Sequence, residues 1–340
     1  MPNPPIRFAV TGLNHGHIYN QTQSMLAAGA QAVCFFAPED DLAAQFSAAF
    51  PHIPRVPGLD QILEDESIQL VLNAGIPVER APLGIKVMQH GKDYMVDKPG
   101  LITLEQLAEA RQVQAETGQI YSVCYSERFW SRAATKAAEL VQAGAIGKVI
   151  QTLSLGPHQR NLPSRPEWFF VKEKYGGILT DIGSHNFDQF LYFTGSTAAE
   201  IVSSQVANFH HPQHPELEDF GDVVVRGDQG VGYLRVDWFT PQGLGVWGDG
   251  RLFITGTEGY IELRKYIDLA GRPGGEHLFL VDQKGLQYID CKDVPLLYAS
   301  RLIEDIRNRS ETAMTQAHSF LAMELAIQAE NMADRLGSLK

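Results

Sequence analysis

Across the first 125 residues, apolar runs of six or seven residues alternate with longer stretches in which apolar positions recur every three or four. The runs "IRFAVT", "AVCFFA", "QLVLNAG", "DYMVDK" and "IYSVCYS" predict strands, and the stretches between them predict helices, the order expected of βαβ units around a parallel sheet. A first helix starts near His17, places Ile18, Thr22, Met25 and Leu26 on one face, and stops at Gly29, a residue type that closes helices with positive φ. A second runs from about Arg80 to His90 and stops at Gly91. A third opens with Thr103 and Gln106, the spacing of a capping box, and ends at Gly118.

Beyond residue 125 the rhythm changes. One helix ends near Gly144, a strand "KVIQTLSL" follows, and a Pro- and Arg-rich loop "GPHQRNLPSRPEW" leads to another helix. From Glu200 the segments "EIVSSQVANF", "DVVVRG", "VGYLRVDWF", "RLFITG", "YIELRK" and "HLFLVD" are separated by turn residues, as in an antiparallel sheet. The tail from about Thr312 to Leu336 is rich in Ala, Leu, Met, Gln and Glu and predicts a long packing helix.

Composition adds limits rather than detail. A chain of 340 residues, 44% hydrophobic and 20% charged, has ample core for two globular domains. A formal charge of −12 argues against an electrostatic grip on nucleic acid or anionic lipid and leaves small molecules as the expected partners. No run of eighteen apolar residues is present, and "MPNPPIRFAV" lacks the features of a signal peptide, so the expectation is a soluble, cytoplasmic protein. Cys34, Cys124 and Cys291 lie in apolar, strand-like runs without CxxC spacing and read as buried reduced thiols.

Candidate chemistry begins at "VTGLNHGHIYN". A dinucleotide pyrophosphate needs a tight strand-to-helix turn, close backbone approach and the free N–H groups of a helix N-terminus. Gly12, Asn14 and Gly16 stand at the first such junction, with Asn14 in place of the usual second glycine and chosen for its tolerance of positive φ. His15 and His17 could hydrogen-bond phosphate or ribose oxygens, or cap the helix. At the end of the second strand, "FFAPEDD" has Ala37 where an acid would grip the adenine ribose, so Glu39 or Asp40 must substitute. No Lys or Arg stands nearby in sequence to meet a 2′-phosphate, so NAD is favoured, with NADP not excluded.

"YMVDKPG" ends a strand with Asp97, Lys98 and Pro99 at the edge where parallel sheets bind ligands; in isolation the lysine reads first as a surface residue of an ordinary turn. In "GGILTDIGSHNFDQFLYFTG", Asp181 and His185 are four apart and share a helix face, either as a carboxylate-steered acid/base or as a core histidine satisfied by its neighbour. Asp188 and Tyr192 continue that face.

These stretches resemble the Gfo/Idh/MocA family of oxidoreductases. "VLNAGIPVERAPLGIKVMQHGKDYMVDKPG" is similar to its third strand, next helix and EKP segment, "SERFWSRAATKAAELVQAGAIGKV" to its domain crossover, and "GGILTDIGSHNFDQF" to its GGxLxDxGxHxxD helix. The resemblance implies an α/β fold: a parallel-sheet Rossmann domain over 1–125 binding NAD(P), and a substrate-binding and oligomerisation domain over 126–311 with a large, mostly antiparallel open sheet. The C-terminal helix over 312–340 would pack back on the Rossmann domain, and the open sheet would form a homo-dimer or homo-tetramer.

It further implies a dehydrogenase of sugar or cyclitol hydroxyls, with Lys98, Asp181 and His185 as catalytic residues. Gly12, Asn14, His15, Gly16, His17, Ile76, Pro77, Asp97 and Lys98 would bind cofactor. His185 would take the hydroxyl proton, Lys98 would stabilise the oxygen, and Asp181 would orient both. The usual Asn and His after the third strand are here Val78 and Ala81, with Arg80 between, and Asp97 replaces the usual Glu. Arg128, His158, Arg160, Arg165 and Trp168 are substrate-binding candidates, because Arg suits carboxylates and an aromatic ring suits a sugar's apolar face. The loop "FHHPQHPELED", 209 to 219, holds three histidines but spacing unlike a regular zinc motif, so no metal is expected. Two other functions fit the same residues: a redox-neutral lyase, hydratase or glycosidase-like enzyme with tightly held NAD, and a non-catalytic sensor of cofactor or sugar.

Overall fold

The computed structural model describes residues 4–161 and 164–337. The chain divides into two compact units, Met1–Cys124 with Leu297–Phe320, and Tyr125–Leu296 with Leu321–Lys340.

The first unit runs β1 (Arg7–Thr11), α1 (His17–Ala27), β2 (Gln31–Phe36), α2 (Asp40–Ala49), α3 (Asp60–Leu63), β3 (Leu70–Asn73), α4 (Pro77–Gln89), β4 (Asp93–Asp97), α5 (Leu104–Thr117) and β5 (Tyr121–Cys124). All strand pairs are parallel, in the order β2-β1-β3-β4-β5. β3, β4 and β5 are buried throughout, which is why they read as mostly apolar runs without alternation. Connections leave β1 towards opposite sides, so the loops after β1 and β3 flank the switch point where such sheets bind ligands.

Local chemistry fixes these elements. α1 buries Ile18, Gln21, Thr22 and Met25, so its inner face is turned slightly from the predicted one and Leu26 is only half-buried. α4 starts earlier than predicted because Pro77, with φ already set and no N–H to satisfy, occupies its first turn. Pro82 inside α4 removes the bond that would reach the Val78 carbonyl, and the Gln106 side chain donates to that oxygen instead, at 2.9 Å. Thr103 caps α5 as predicted, its hydroxyl accepting from the Gln106 N–H at 3.2 Å. Gly84 lets α4 close on the sheet, since a Cβ there would lie 2.5 Å from the Tyr94 ring and 2.6 Å from the Tyr121 ring.

The second unit begins with α6 (Ser126–Phe129), α7 (Arg132–Gln142) and β6 (Val149–Pro157), then α8 (Lys172–Tyr175), α9 (Ile178–Asp181) and α10 (Gly183–Thr194). β7 (Ala199–Ala207), β8 (Phe220–Gly227), β9 (Val231–Asp237), β10 (Arg251–Gly256), β11 (Tyr260–Arg264), β12 (His277–Asp282) and β13 (Gly285–Asp290) follow. After α11 (Tyr298–Asn308) in the first unit and α12 (Gln316–Met332), β14 (Asp334–Leu336) completes a nine-stranded sheet ordered β13-β12-β11-β10-β6-β9-β8-β7-β14. The sheet is mostly antiparallel, as expected, with parallel pairs at β6–β9 and β14–β7. The predicted tail helix thus ends at Met332, and the next residues pair with β7.

Alternation along the strands sends Leu252, Ile254, Ile261, Leu263, Leu278 and Leu280 into a core with Ala133 and Ala137 of α7. The other face carries a cross-strand row, Tyr288, Phe279, Glu262, Phe253, Leu153, Tyr233 and Val224, each half-buried or exposed. Cys34, Cys124 and Cys291 are buried free thiols, as predicted. Among the described residues, no helix is long and apolar enough to cross a membrane.

Candidate active site

In the first unit the turn after β1 is sewn to the loop after β3. Gly12 has φ +60, and a Cβ there would lie 2.5 Å from the Gly75 nitrogen, so only glycine fits. The Ala74 N–H donates to the Gly12 carbonyl at 3.0 Å, and the His15 N–H donates to the Ala74 carbonyl at 2.9 Å. Gly16 stands at the N-cap of α1 with no side-chain cap and open space where a Cβ would point. An uncapped helix start beside a glycine fits a pyrophosphate, whose charge suits the positive end of the helix.

Asn14 does not take up the positive φ that sequence reasoning allotted to it; its amide donates to Glu39 Oε1 at 3.0 Å. Glu39 is the N-cap residue of α2, just past β2. Asp40 is instead paired with Arg55 at 2.8 Å, and Arg55 also donates to the Ala37 carbonyl at 2.8 Å. A cation therefore does reach the end of β2, contrary to the sequence reading; it comes from the segment after α2, bridged to Phe35.

His15 and His17 both turn Nδ1 to Asp97, at 3.0 and 2.9 Å. Burial pushes the Asp97 carboxyl up, but the flanking imidazoles of His17 and His15 outweigh it and hold the group well below its usual range. Burial together with His17 lowers His15 to about 4, against the pull of Asp97. Among the described residues these three are the His/Cys/Asp/Glu side chains close enough to share a metal ion. Arg80, 1% exposed, braces the same spot. It donates to the carbonyls of Gly75 (2.8 Å), Asp97 (3.1 Å), Lys98 (2.6 Å) and Pro99 (3.1 Å). Lys98 is buried just past β4, in a cis Lys98–Pro99 peptide, while Ile76 and Pro77 form the start of α4.

In the second unit, α9, which leads into the helix bearing the candidate acid/base, is held at its start by two carboxylates. Glu218 accepts from the Ile178 N–H at 2.9 Å and Glu330 from the Leu179 N–H at 3.0 Å, with the Lys172 ammonium between them. Gly177, φ +91, leaves room for the Glu330 carboxyl. Burial and the neighbouring Glu218 raise Glu330 to about 7. Asp181 ends α9 and His185 lies one turn on in α10, 3% exposed, its ring 6.4 Å from that of Tyr125.

Behind His185 lies a network absent from the sequence reading. Gln189 donates to the His185 carbonyl at 2.9 Å, Lys265 donates to Gln189 at 2.9 Å and to Glu127 at 2.7 Å, and the Tyr266 hydroxyl also meets Glu127. Burial would raise the Glu127 carboxyl, but Lys265, His185 and His158 hold it far below its usual range. Arg128 forms a two-bond pair with Asp188 (2.7 and 2.6 Å) between the rings of Phe129 and Tyr192.

Of the other substrate candidates, His158 sets its ring edge-on to Trp238 and Trp247, at 5.6 and 5.7 Å. Arg165 lies over Phe169, Trp238 and Trp247, at 4.5, 4.9 and 5.2 Å. Trp168 packs on Phe169 and is half-buried. Arg160 meets His211 of the histidine-rich loop, whose His214 stacks on Phe170 at 3.9 Å. Nothing in the local sequence of Trp238, Trp247 or Lys265 marks them; the pairing of β6 with β9 brings in Trp238, that of β10 with β11 brings in Lys265, and the Gln159 N–H, donating to the Trp247 carbonyl at 2.7 Å, holds Trp247.

Residues 6–125 match the model of an oxidoreductase family with an NAD-binding Rossmann fold, and residues 134–262 match the Gfo/Idh/MocA C-terminal domain. The chain belongs to the Gfo/Idh/MocA family. It is accordingly an NAD-binding oxidoreductase with the α/β architecture expected of that family. Among Gfo/Idh/MocA relatives it is similar to scyllo-inositol 2-dehydrogenase (NAD(+)) of Bacillus subtilis (strain 168), 26% identical across 96% of this chain and 93% of the relative. A solved structure from Erwinia carotovora atroseptica SCRI1043, assigned to the oxidoreductases, is 48% identical over 98% of this chain and 100% of its own, with a TM-score of 0.95. Levoglucosan dehydrogenase in complex with NADH and levoglucosan, 16% identical over 96% of both chains with a TM-score of 0.81, shares the fold.

Proposed function

We propose that the protein oxidises a hydroxyl of a sugar, cyclitol or sugar acid, using NAD. The observation that carries this reading is the full-length likeness to an inositol dehydrogenase in a chain that keeps Lys98, Asp181 and His185 at the matching motif positions. When bound, the nicotinamide supplies the hydride acceptor.

The residues of the chain then have distinct tasks. Gly12, Asn14, His15, Gly16 and His17, with Ile76, Pro77 and Asp97, hold the dinucleotide. Glu39, fixed by Asn14, accepts from the adenine ribose; a 2′-phosphate would face this carboxylate, while the charge of Arg55 is engaged by Asp40. NAD is therefore preferred over NADP. His185 takes the hydroxyl proton, Lys98 donates to the same oxygen and stabilises its growing negative charge, and Asp181 orients the pair. Glu127 stabilises the imidazolium once His185 is protonated. His158, Arg160, Arg165 and Trp168 face substrate, and Arg128 fixes the wall through Asp188. The open sheet face, with Val224 exposed and Tyr233 and Phe279 half-buried, makes a homo-oligomer, and the reduced cysteines suit the cytoplasm.

The test is steady-state oxidation across a polyol and sugar-acid panel for wild type, His185→Asn and Lys98→Met. Both variants should lose about a hundredfold or more in kcat, the usual cost of removing an acid/base or an electrostatic stabiliser, and His185→Asn should retain NADH binding. Unchanged kcat in His185→Asn would exclude His185 as the base.

A further inference from the structure

The histidine-rich loop of 209 to 219 has a task that a metal site does not explain. Asp219 is fully buried and saturated: it accepts from the Phe209 N–H (2.8 Å), the His210 N–H (2.9 Å) and His211 Nδ1 (2.8 Å). His211, 2% exposed, thus carries its proton on Nδ1 and presents Nε2 as a lone-pair acceptor. Burial lowers its pKa, which keeps the ring neutral near pH 7. The group that fills Nε2 is the Arg160 guanidinium.

Arg160 is therefore held by a neutral partner. Among the described residues no carboxylate is paired with it, although the chain has a formal charge of −12 and most of its buried cations meet acids. A guanidinium has five N–H donors, and His211 takes one. Arg160 lines a cavity of about 560 Å³ with Gln159, His210, Trp238, Phe239 and Gln242, at the C-terminal ends of β6 and β9. Arg165 adds a second positive charge: its Nε donates to the Arg160 carbonyl at 3.1 Å, it lies over Trp238, and one of its terminal nitrogens is buried without a hydrogen-bond partner. The Asp181 charge, at the end of α9, acts on Arg165.

We propose that this cavity is the recognition site for an oxyanion carried by the substrate, a carboxylate or a phosphate ester on a sugar, with Arg160 as the contacting residue and the Asp219–His211 pair as its positioning strut. Trp238 and Phe239 offer apolar faces to the sugar ring, and Gln159 and Gln242 offer donors and acceptors to its hydroxyls. The proposal rests on the dehydrogenase reading only for the identity of the ligand as substrate; binding is separate from turnover.

The test is calorimetric titration of the NAD-saturated protein with matched sugars: aldoses, the corresponding aldonates and the corresponding 6-phosphates, on wild type and Arg160→Gln. At least one aldonate or phosphate should bind tenfold or more tightly than its neutral counterpart, the usual gain from a charge-assisted bond, and Arg160→Gln should erase that difference. Preference for aldonate over phosphate, or the reverse, identifies the oxyanion. His211→Gln, which keeps Arg160 but removes its strut, should weaken the preference in part. Equal binding of charged and neutral members of every pair, or a preference that survives in Arg160→Gln, would overturn the proposal. Tight, Arg160-dependent binding without NADH formation would leave this site standing and count instead against the dehydrogenase reading.

Discussion

Replacing Arg80 with Met removes a cation that sits at the junction of the two loops proposed to hold cofactor. The guanidinium satisfies four backbone carbonyls and lies 3.5 Å from Asp97 Oδ2, all without access to water. Met fills a similar volume but donates nothing, so the carbonyls and the Asp97 carboxylate are left buried with fewer partners. Breaking a buried charge network of this kind costs about 3–5 kcal/mol, far less than a sum over its bonds because burying the cation is itself unfavourable. At about 2–4 °C per kcal/mol for a unit of this size, the thermal transition of the first unit should fall by about 10 °C. Scanning calorimetry reads the effect, and the transition that NADH raises marks the unit concerned. Because Lys98 and Gly75 lose a common anchor, NADH affinity should fall as well. A drop of less than 2 °C, or full recovery by Arg80→Lys, which cannot reach the same oxygens with one ammonium, would refute the account of Arg80 as a brace.

Two further predictions concern backbone and charge. Gly12→Ala places a Cβ 2.5 Å from the Gly75 nitrogen at φ +60, which adds about 1–2 kcal/mol of local strain and forces the two loops apart; nicotinamide fluorescence should report at least tenfold weaker NADH binding, and unchanged affinity would contradict the turn geometry. Glu330, raised from 4.5 to about 7, is a carboxyl whose protonated form the fold favours. Its contribution is full below the unfolded pKa and is lost as pH rises through about 7. Glu330→Gln should therefore flatten the fall in stability between about pH 5 and 8 seen in denaturant titrations, whereas an unaltered slope would show that another group titrates there.

The fold was largely legible because the physics of each sheet leaves its own trace. Parallel strands buried on both faces, such as β3 to β5, are mostly apolar with no alternation, and the strands of the second sheet alternate because one face is covered. Elements that bury little escaped: β13 is exposed at nearly every position and β14 is three exposed residues at an edge. α2 and α11 also went unassigned, although α11 buries five residues. In the candidate site, the residues that the sequence singles out, including Gly12, Asp97, Lys98 and His185, are adjacent to a recognisable turn or helix. Partners supplied from afar are not singled out: Lys265 is 138 residues from Glu127, and His211 is 51 from Arg160. Arg80 was noted only as a departure from the family pattern, since nothing in its sequence neighbourhood signals that four carbonyls converge on it.

The most direct test of the dehydrogenase reading follows the hydride itself. Protein saturated with NAD is mixed with substrate deuterated at the carbinol carbon, using scyllo-inositol and the aldonate that binds best, and the recovered dinucleotide is analysed by NMR. Transfer of one deuterium to C4 of the nicotinamide, with release of reduced cofactor and loss of the reaction in His185→Asn, is the predicted result. Unlabelled, oxidised NAD after complete substrate binding would contradict it.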